Sequence, residues 1–430
     1  MFRSFPVFII LLAFYSCKTP TGVFSKKTLH EQYGEKLDKA GLRQTAIGNR
    51  WFEAAQTAII NPIAVPLPYK ENGYFAADRP ESTGLQFNAK RGELLTIEVS
   101  ATPADKKFLF ADLFSSVDGV TRYMQSIDTN SNLLRYNVKE NTNFILRLQP
   151  EVLQSGSYIL TITTGPSLAY PAPSATKNRI ISVWGDGRDR GARKHEGVDI
   201  SGTLRTPLLA IGDGYVSRVT ENNLGGKVIF IRDANSNESW YYAHLDSQIA
   251  TNGQRVRAGD IIGLMGNTGN ARFTSPHLHF GIYTSSGAVD PLPYINPVAA
   301  APRPVIASTA VLGKLMRIWE SGAGLSFTWK RAKEKPVENT PVRITAATNN
   351  LYKAILPTGE TRFIPAANLV SIQKKIRSLT LKAPAKLMEA PDEVSPVIQN
   401  LDTGAELDIL GIYGEYRYVA AGTRSGWIKQ

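Results

Sequence analysis

Four of the five histidines in this 430-residue chain fall within 85 positions of one another, each in a short run of residues that can do chemistry. The runs are His195-Glu196-Gly197-Val198-Asp199, Tyr242-Ala243-His244-Leu245 and Pro276-His277-Leu278-His279-Phe280. Side chains two apart on a strand project to the same face, so His277 and His279 point into one cavity if that run is extended. His195 and Asp199, four apart, converge from either a strand or a helix. Two histidines and one carboxylate are a three-ligand zinc set that leaves a fourth position for water, the mark of a catalytic rather than a structural zinc. A zinc so held makes hydroxide available near neutral pH. The two remaining histidines suffice to take the proton from that water and to stabilise the species that forms.

The surrounding elements must place these residues. Length alone implies roughly three domains at about 100–200 residues each. Hydrophobic residues at 43% and charged residues at 20% exclude a disordered or fibrous chain. The 35 glycines and 25 prolines fall largely between short β-type runs, so the expected fold class is mostly β and multidomain. One cysteine excludes a disulfide framework within the chain and any cysteine-based metal cluster. The net charge of +12 favours an anionic partner without choosing among nucleic acid, membrane and wall polymer.

Read from the amino terminus, Arg3 precedes the apolar run Val7–Tyr15, which is too short to span a bilayer and reads as a signal-peptide core. It ends at Ser16-Cys17, followed by polar Lys18-Thr19, which resembles a bacterial lipoprotein processing site. Residues 1–16 are therefore expected to be removed and Cys17 to carry lipid, anchoring the chain without spanning. Residues 17–65 form the anchor and a helical segment, with Leu29, Tyr33, Leu37 and Ala40 at helical spacing and His30 expected as a solvated surface histidine. Residues 66–168 alternate with period two and predict a β-sandwich. It resembles accessory sandwich domains of secreted bacterial peptidases. Proline-rich linkers at 170–176 and 296–304 bracket the histidine-bearing segment. Two further β-rich modules, 305–372 and 376–430, close in Phe363-Ile364-Pro365 and Gly426-Trp427-Ile428, which resemble the last strands of SH3-like barrels that bind cell wall. Residues 307–375 carry 11 Lys and Arg against 4 acids, so the basicity is concentrated there, as a contact surface for an anionic polymer would be.

The segment 177–297 resembles the LytM/lysostaphin-type zinc endopeptidases. The residues that carry the likeness are Trp184 to Ile200, Ala210-Ile211-Gly212-Asp213-Gly214-Tyr215-Val216, Val256 to Gly269, and Ser275 to Phe280. The resemblance implies a small antiparallel β-sheet domain with an open groove for an extended peptide. It implies one zinc per chain on His195, Asp199 and His279, with His277 as general base and His244 as the second catalytic histidine near the scissile carbonyl. It also places Arg188 toward substrate. Gly281 and the run Ser201–Pro207 depart from the commoner family wording, at no metal ligand. The reading is a lipid-anchored zinc endopeptidase of the bacterial cell envelope, facing the periplasm from the outer membrane, that hydrolyses peptidoglycan cross-links, most consistently the D,D bond. Its expected partners are peptidoglycan and, through the lipid, membrane, but not nucleic acid. A non-catalytic envelope scaffold or activator of another hydrolase is the alternative, and the filled set of five functional positions weighs against it. A secreted toxin is disfavoured by the lipid anchor.

Overall fold

The computed structural model describes residues 27–103, 108–128, 131–173, 177–188, 191–298, 300–319 and 337–430. The signal segment, Cys17, Asp189-Arg190 and four of the basic residues of the 307–375 stretch (Lys330, Arg331, Lys333, Lys335) lie outside the described residues. The expected class holds: apart from two amino-terminal helices and a few short turns, the described chain is built of mostly antiparallel strands. None of its helices is long and apolar enough to cross a membrane.

The first helix, Leu29–Lys39, starts at a capping box in which Thr28 and Glu31 satisfy each other's backbone N–H groups. A second helix, Ala46–Ile60, follows, with Thr45 as N-cap. His30 corrects the expectation of a solvated residue. The inward face of the first helix is His30, Gly34 and Leu37, while Leu29 and Ala40 are exposed. The His30 ring stacks on fully buried Trp51 at 4.6 Å, and its Nε2 lies 2.6 Å from Gln149 Oε1. A histidine among charged neighbours looks solvated in sequence. Here it is a flat ring on the single stripe that a tryptophan from the next helix can cover.

Residues 63–166 make the sandwich. One five-stranded sheet contains Thr83–Ala89, Leu109–Val117 and Thr142–Pro150, and the facing sheet contains Tyr69–Phe75, Gly156–Pro166, Glu93–Thr102 and Leu133–Asn137. Leu85, Leu95, Ile97, Leu113, Leu146, Leu160 and Ile162 fill the space between them. The facing sheet does not end at Tyr69–Phe75. That strand pairs antiparallel with Pro341–Thr348 (Asn72↔Ala347, Gly73↔Ala346), and the sheet continues through Leu351–Ile355 and Thr361–Pro365. Residues 305–372 have a core of their own, including Ile318, Val342, Ile344, Ala354 and Ile364, and their strands continue the sandwich sheet to nine strands in all.

The junction is pinned by a fully buried ion pair. Lys353 Nζ donates to both oxygens of Glu71 at 2.8 and 2.9 Å, and the hydroxyls of Tyr69 and Tyr158 donate to the same carboxylate. All the strong acceptor directions of Glu71 are used, the condition under which a buried charge is tolerated. The same packing thins the basic surface expected of this region. Arg317 and Lys353 are buried, Arg362 is buried beside Glu360, and Arg343 is paired with Glu81 at 2.8 Å. Residues 377–429 form a separate six-stranded sheet with its own core of Leu387, Leu401, Leu407, Ile409, Val419 and Ile428.

Between these parts, residues 180–289 form a ten-stranded, predominantly antiparallel sheet. Its central order is Ile180–Ser182, Val198–Ser201, His277–Thr284, Ser239–Gln248, Gly226–Asp233, Gly214–Asn222 and Arg255–Val256. One face is core, with Val198, Ile200, Ile231, Trp240, Tyr242, Phe280 and Ile282 all fully buried. The other face carries the histidines.

Candidate metal centre

The strands Val198–Ser201 and His277–Thr284 are antiparallel neighbours in the register Asp199↔His279 and Ser201↔His277. Val198 and Ile200 occupy the core, so period-two alternation turns Asp199 to the opposite face, as Leu278 and Phe280 turn His277 and His279. His195 comes from the loop before the first of these strands. Its backbone N–H donates to Asp186 and its carbonyl accepts from Gly185, which brings the ring over the paired strands.

His195 Nε2 and His279 Nδ1 are 2.9 Å apart, His195 Nε2 and Asp199 Oδ1 are 3.1 Å apart, and His279 Nδ1 and Asp199 Oδ1 are 3.0 Å apart. This near-equilateral triangle can be tested against a metal. His195 Nδ1 lies 3.0 Å from the carbonyl of Val183, which only accepts, so that nitrogen carries the proton and Nε2 presents a lone pair. A carboxylate oxygen also presents lone pairs, so three donor atoms share at most one proton, the one His279 Nδ1 can carry. A cation relieves that convergence. A tetrahedral ion with ligand bonds of about 2.0–2.1 Å has ligand–ligand edges of about 3.3 Å, close to the observed sides. The donor set and its dimensions thus fit zinc. Gly197, between the first two ligands, is there for space: a Cβ at this position would lie 2.5 Å from the carbonyl oxygen of Phe280 and 2.8 Å from His279 Cε1.

Arg188 turns back onto this triangle. Its Nη2 donates to Asp199 Oδ2 at 2.6 Å and to Ser182 Oγ at 2.8 Å, so its described contacts are with a ligand carboxylate and its support. Ser182 in turn donates to Asp186 Oδ2 at 2.6 Å. Such outer hydrogen bonds orient metal ligands. Asp186 sits inside the recognisable run, whereas nothing in the sequence singled out Ser182. For Asp199 the largest influence, burial, pushes its carboxyl up, but the hydrogen bonds of His195 and His279 outweigh it and hold the group well below the usual carboxylate range. Burial holds His279 below its ordinary value, overriding the pull of Asp199.

His244 reaches the same face by an irregularity. Tyr242 is core, and simple alternation would send His244 to the core as well. Between Tyr242 and Leu245 the strand holds one residue more than its partner, in which Ile229 and Lys227 are the matching positions. This bulge, with His244 at φ 65°, reverses the parity, so that Leu245 is core and His244 faces the groove. The His244 ring lies 5.1 Å from that of His277 and 6.0 Å from that of His279. Its Nδ1 donates to the Thr268 carbonyl at 2.9 Å, and burial, with His277 close by, lowers its pKa to about 4. It is neutral at pH 7. His277 Nδ1 donates to the Ser275 carbonyl at 2.9 Å. With Nδ1 donating, the neutral form of either ring has its lone pair on Nε2. All five expected site residues come together within one face of one sheet. Tyr241, whose ring is 5.9 Å from that of His279, joins the site without having been singled out in sequence.

Comparison with known proteins agrees in extent with this sheet. Residues 193–291 match peptidase family M23. The L-Ala--D-Glu endopeptidase of Bacillus subtilis is 37% identical over 140 residues, covering 30% of this chain and 43% of that protein. The peptidoglycan DD-endopeptidase ShyC of Vibrio cholerae is 38% identical over 88 residues, 20% of each chain. The catalytic domain of lysostaphin from Staphylococcus simulans is 30% identical, covering 29% of this chain and 97% of that one, with a TM-score of 0.27. The chain spans less than half the length of these two curated relatives.

Proposed function

We infer, from a segment 193–291 that belongs to peptidase family M23, that this protein is a zinc-dependent endopeptidase acting on the peptide cross-links of peptidoglycan. The observation that carries the reading is the triangle of His195, Asp199 and His279, with His244 and His277 facing it from the same side. Zinc at that triangle supplies Lewis acidity and a water acidified to a pKa of about 7. His277, anchored through Nδ1, offers Nε2 to accept the proton of the attacking water. His244, neutral and held by Thr268, offers a second nitrogen beside the reacting carbonyl. Arg188 orients Asp199 through its hydrogen bond to Oδ2. Together these suit an unactivated amide, which needs both a nucleophile and polarisation of its carbonyl.

We assign the D,D cross-link as the bond cut. The support is the sequence: the apolar run that ends at Cys17 resembles a lipoprotein processing site, which would tether the chain to an envelope membrane, with residues 18–176 between that anchor and the segment that holds the metal site. The names of the relatives span three different bonds, L-Ala–D-Glu, D,D and glycyl-glycine, so the choice rests on the tether. The expected setting is the envelope, with the outer membrane as the anchoring surface. Incubating the zinc-loaded full chain with cross-linked muropeptide dimers tests the assignment. Release of monomers by the wild type and not by His277→Ala is expected. No release, with pentaglycine cut instead, would replace the substrate, and no cleavage of either would favour a scaffold. Mass spectrometry of the native amino terminus tests the anchor: a mature chain beginning at Met1, or after Cys17, would end it.

A further inference from the structure

The face that carries the metal ligands does not stop at His279. Following the registers along it, His279 pairs with Ala243, Gly281 with Tyr241, and Tyr283 with Ser239. One strand further out, Phe230 pairs with Tyr241 and Arg232 with Ser239. All of these share the open face, because Ile231, Trp240 and Ile282, the alternate positions, are fully buried in the core behind it. At the end of this row is a pocket of about 240 Å³ lined by Arg232, Asn237, Ser239, Tyr283, Thr284 and Ser285. Its lining contains one formal charge, the Arg232 guanidinium.

Arg232 makes one hydrogen bond among the described contacts, from Nη1 to Ser239 Oγ at 3.4 Å, and enters no ion pair. Of the acidic side chains around it, Asp233 and Glu238 are committed elsewhere, and the exposed Glu196 acts on Tyr283 from the other side of the lining. Asp233 accepts from Asn235 N and Ser236 Oγ, and Glu238 accepts from the Tyr294 hydroxyl. A guanidinium with spare donors, in a pocket otherwise lined by hydroxyls and an amide, is built to take a planar oxyanion in a fork. Tyr283 is four residues from His279 on one strand, so the pocket lies about 13 Å from the metal ligands, which an extended peptide covers in about four residues.

Gly281 lies between the two. A Cβ there would sit 3.2 Å from Tyr283 Cε2 and 3.3 Å from the Glu196 carbonyl oxygen, so any larger side chain would rise from the floor of the groove between the metal triangle and the pocket. The glycine that departs from the commoner wording of the motif therefore keeps a path open.

We propose that the Arg232 pocket is a subsite for a carboxylate of the peptide substrate, and that Gly281 keeps the groove floor low enough for an extended peptide to reach it from the metal triangle. This rests on the endopeptidase reading but concerns which peptides bind and not whether they are cut. Stem peptides present such carboxylates either on a side chain or at a chain end.

Calorimetric titration of the zinc-loaded full chain, in a His277→Ala background that prevents turnover, separates binding from cleavage. The probes are cross-linked stem-peptide dimers with all carboxylates free, with only the terminal ones amidated, and with all amidated. A charge-assisted hydrogen bond of about 1.5–3 kcal/mol corresponds to an affinity loss of roughly ten- to a hundredfold. Arg232→Gln is expected to lose that much for the free dimer and nothing for the fully amidated one, with Arg232→Lys intermediate and the melting temperature of each variant unchanged. The partly amidated dimer reports which carboxylate is read: retained sensitivity to Arg232→Gln assigns the side chain, and lost sensitivity assigns the terminus. Gly281→Gln is expected to weaken all three dimers. Equal affinity of wild type and Arg232→Gln for the free dimer, or no preference of the wild type for free over amidated dimer, overturns the subsite. If Arg232 governs binding but the protein with His277 intact releases no monomers, the subsite stands and the catalytic reading falls.

Discussion

At Gly197 a single missing side chain decides whether the metal ligands can meet. Its absent Cβ would collide with the Phe280 carbonyl and the His279 ring, and the first of these is backbone that cannot step aside. Gly197→Ala is therefore expected to displace His279 and weaken zinc by about 10–100-fold, the range seen when the support of a ligand is disturbed. Competition with a chromophoric chelator measures this, and wild-type affinity in the variant would contradict the packing. The two catalytic histidines should behave differently. His277→Ala and His244→Ala touch no ligand atom, so each should retain one zinc per chain by elemental analysis. His277→Ala should lose about 10²–10⁴-fold in cleavage rate, the usual contribution of a positioned acid–base group. Loss of zinc in His277→Ala would move that residue into the ligand set. The convergence of His195 with Asp199 and of His277 with His279 was legible as local spacing; that the two runs meet, and that Gly197 leaves room for it, depends on strands whose facing residues are 80 positions apart. The hydrogen bond from Arg188 to Asp199 was not legible, since an arginine near a carboxylate in sequence can point either to it or to solvent.

Among the elements, the amino-terminal helix and the Tyr69–Phe75 strand each carry a buried group whose role depends on a partner far along the chain. Burial lowers the His30 pKa from 6.5 to about 4, helped by the nearby Arg147 guanidinium and opposed by the Gln149 hydrogen bond and by Asp112. Because the folded value lies below the unfolded one, the unfolded chain takes up the proton first. The stabilisation is complete above pH 6.5 and is lost as pH falls toward about 4, by on the order of 3 kcal/mol. Urea midpoints at pH 7.5 and 4.5 should show a fall in the wild type that is smaller in His30→Gln by about that amount. An equal fall in both would remove His30 from the account. For Lys353→Ala, which strands the Glu71 carboxylate in the core, a loss of about 3–5 kcal/mol is expected, with partial recovery in Glu71→Gln/Lys353→Met. Denaturant unfolding of the two variants decides it; a single variant as stable as the wild type would mean that water reaches Glu71.

For the whole molecule, the shared nine-stranded sheet joins residues 305–372, with their own core, edge to edge with the sandwich. Truncation after residue 304 would bare the Tyr69–Phe75 edge and take Lys353 from the Glu71 carboxylate, whereas truncation after 375 leaves both in place and removes the Leu410 carbonyl that accepts from Arg317. The shorter chain is expected to melt lower or aggregate, as exposed strand edges do, and the longer one to keep the melting temperature of the remaining domains. Thermal unfolding followed by circular dichroism checks both, and two equally stable truncations would contradict the shared sheet.

What the sequence determined alone is whatever depends on neighbours a few residues away. The mostly β character and the common face of His277 and His279 follow from alternation along one stretch of chain. What only the tertiary structure decided depends on which distant surfaces meet. His30 is buried because Trp51 covers it. His244 faces the metal side because a bulge between paired strands reverses its parity. Residues 305–372 join the sandwich because two edges with chemically identical N–H and C=O rows found each other. An edge strand carries no sequence mark of its partner: backbone hydrogen bonds are the same for every residue type, and packing and buried charge such as Glu71 with Lys353 select the match.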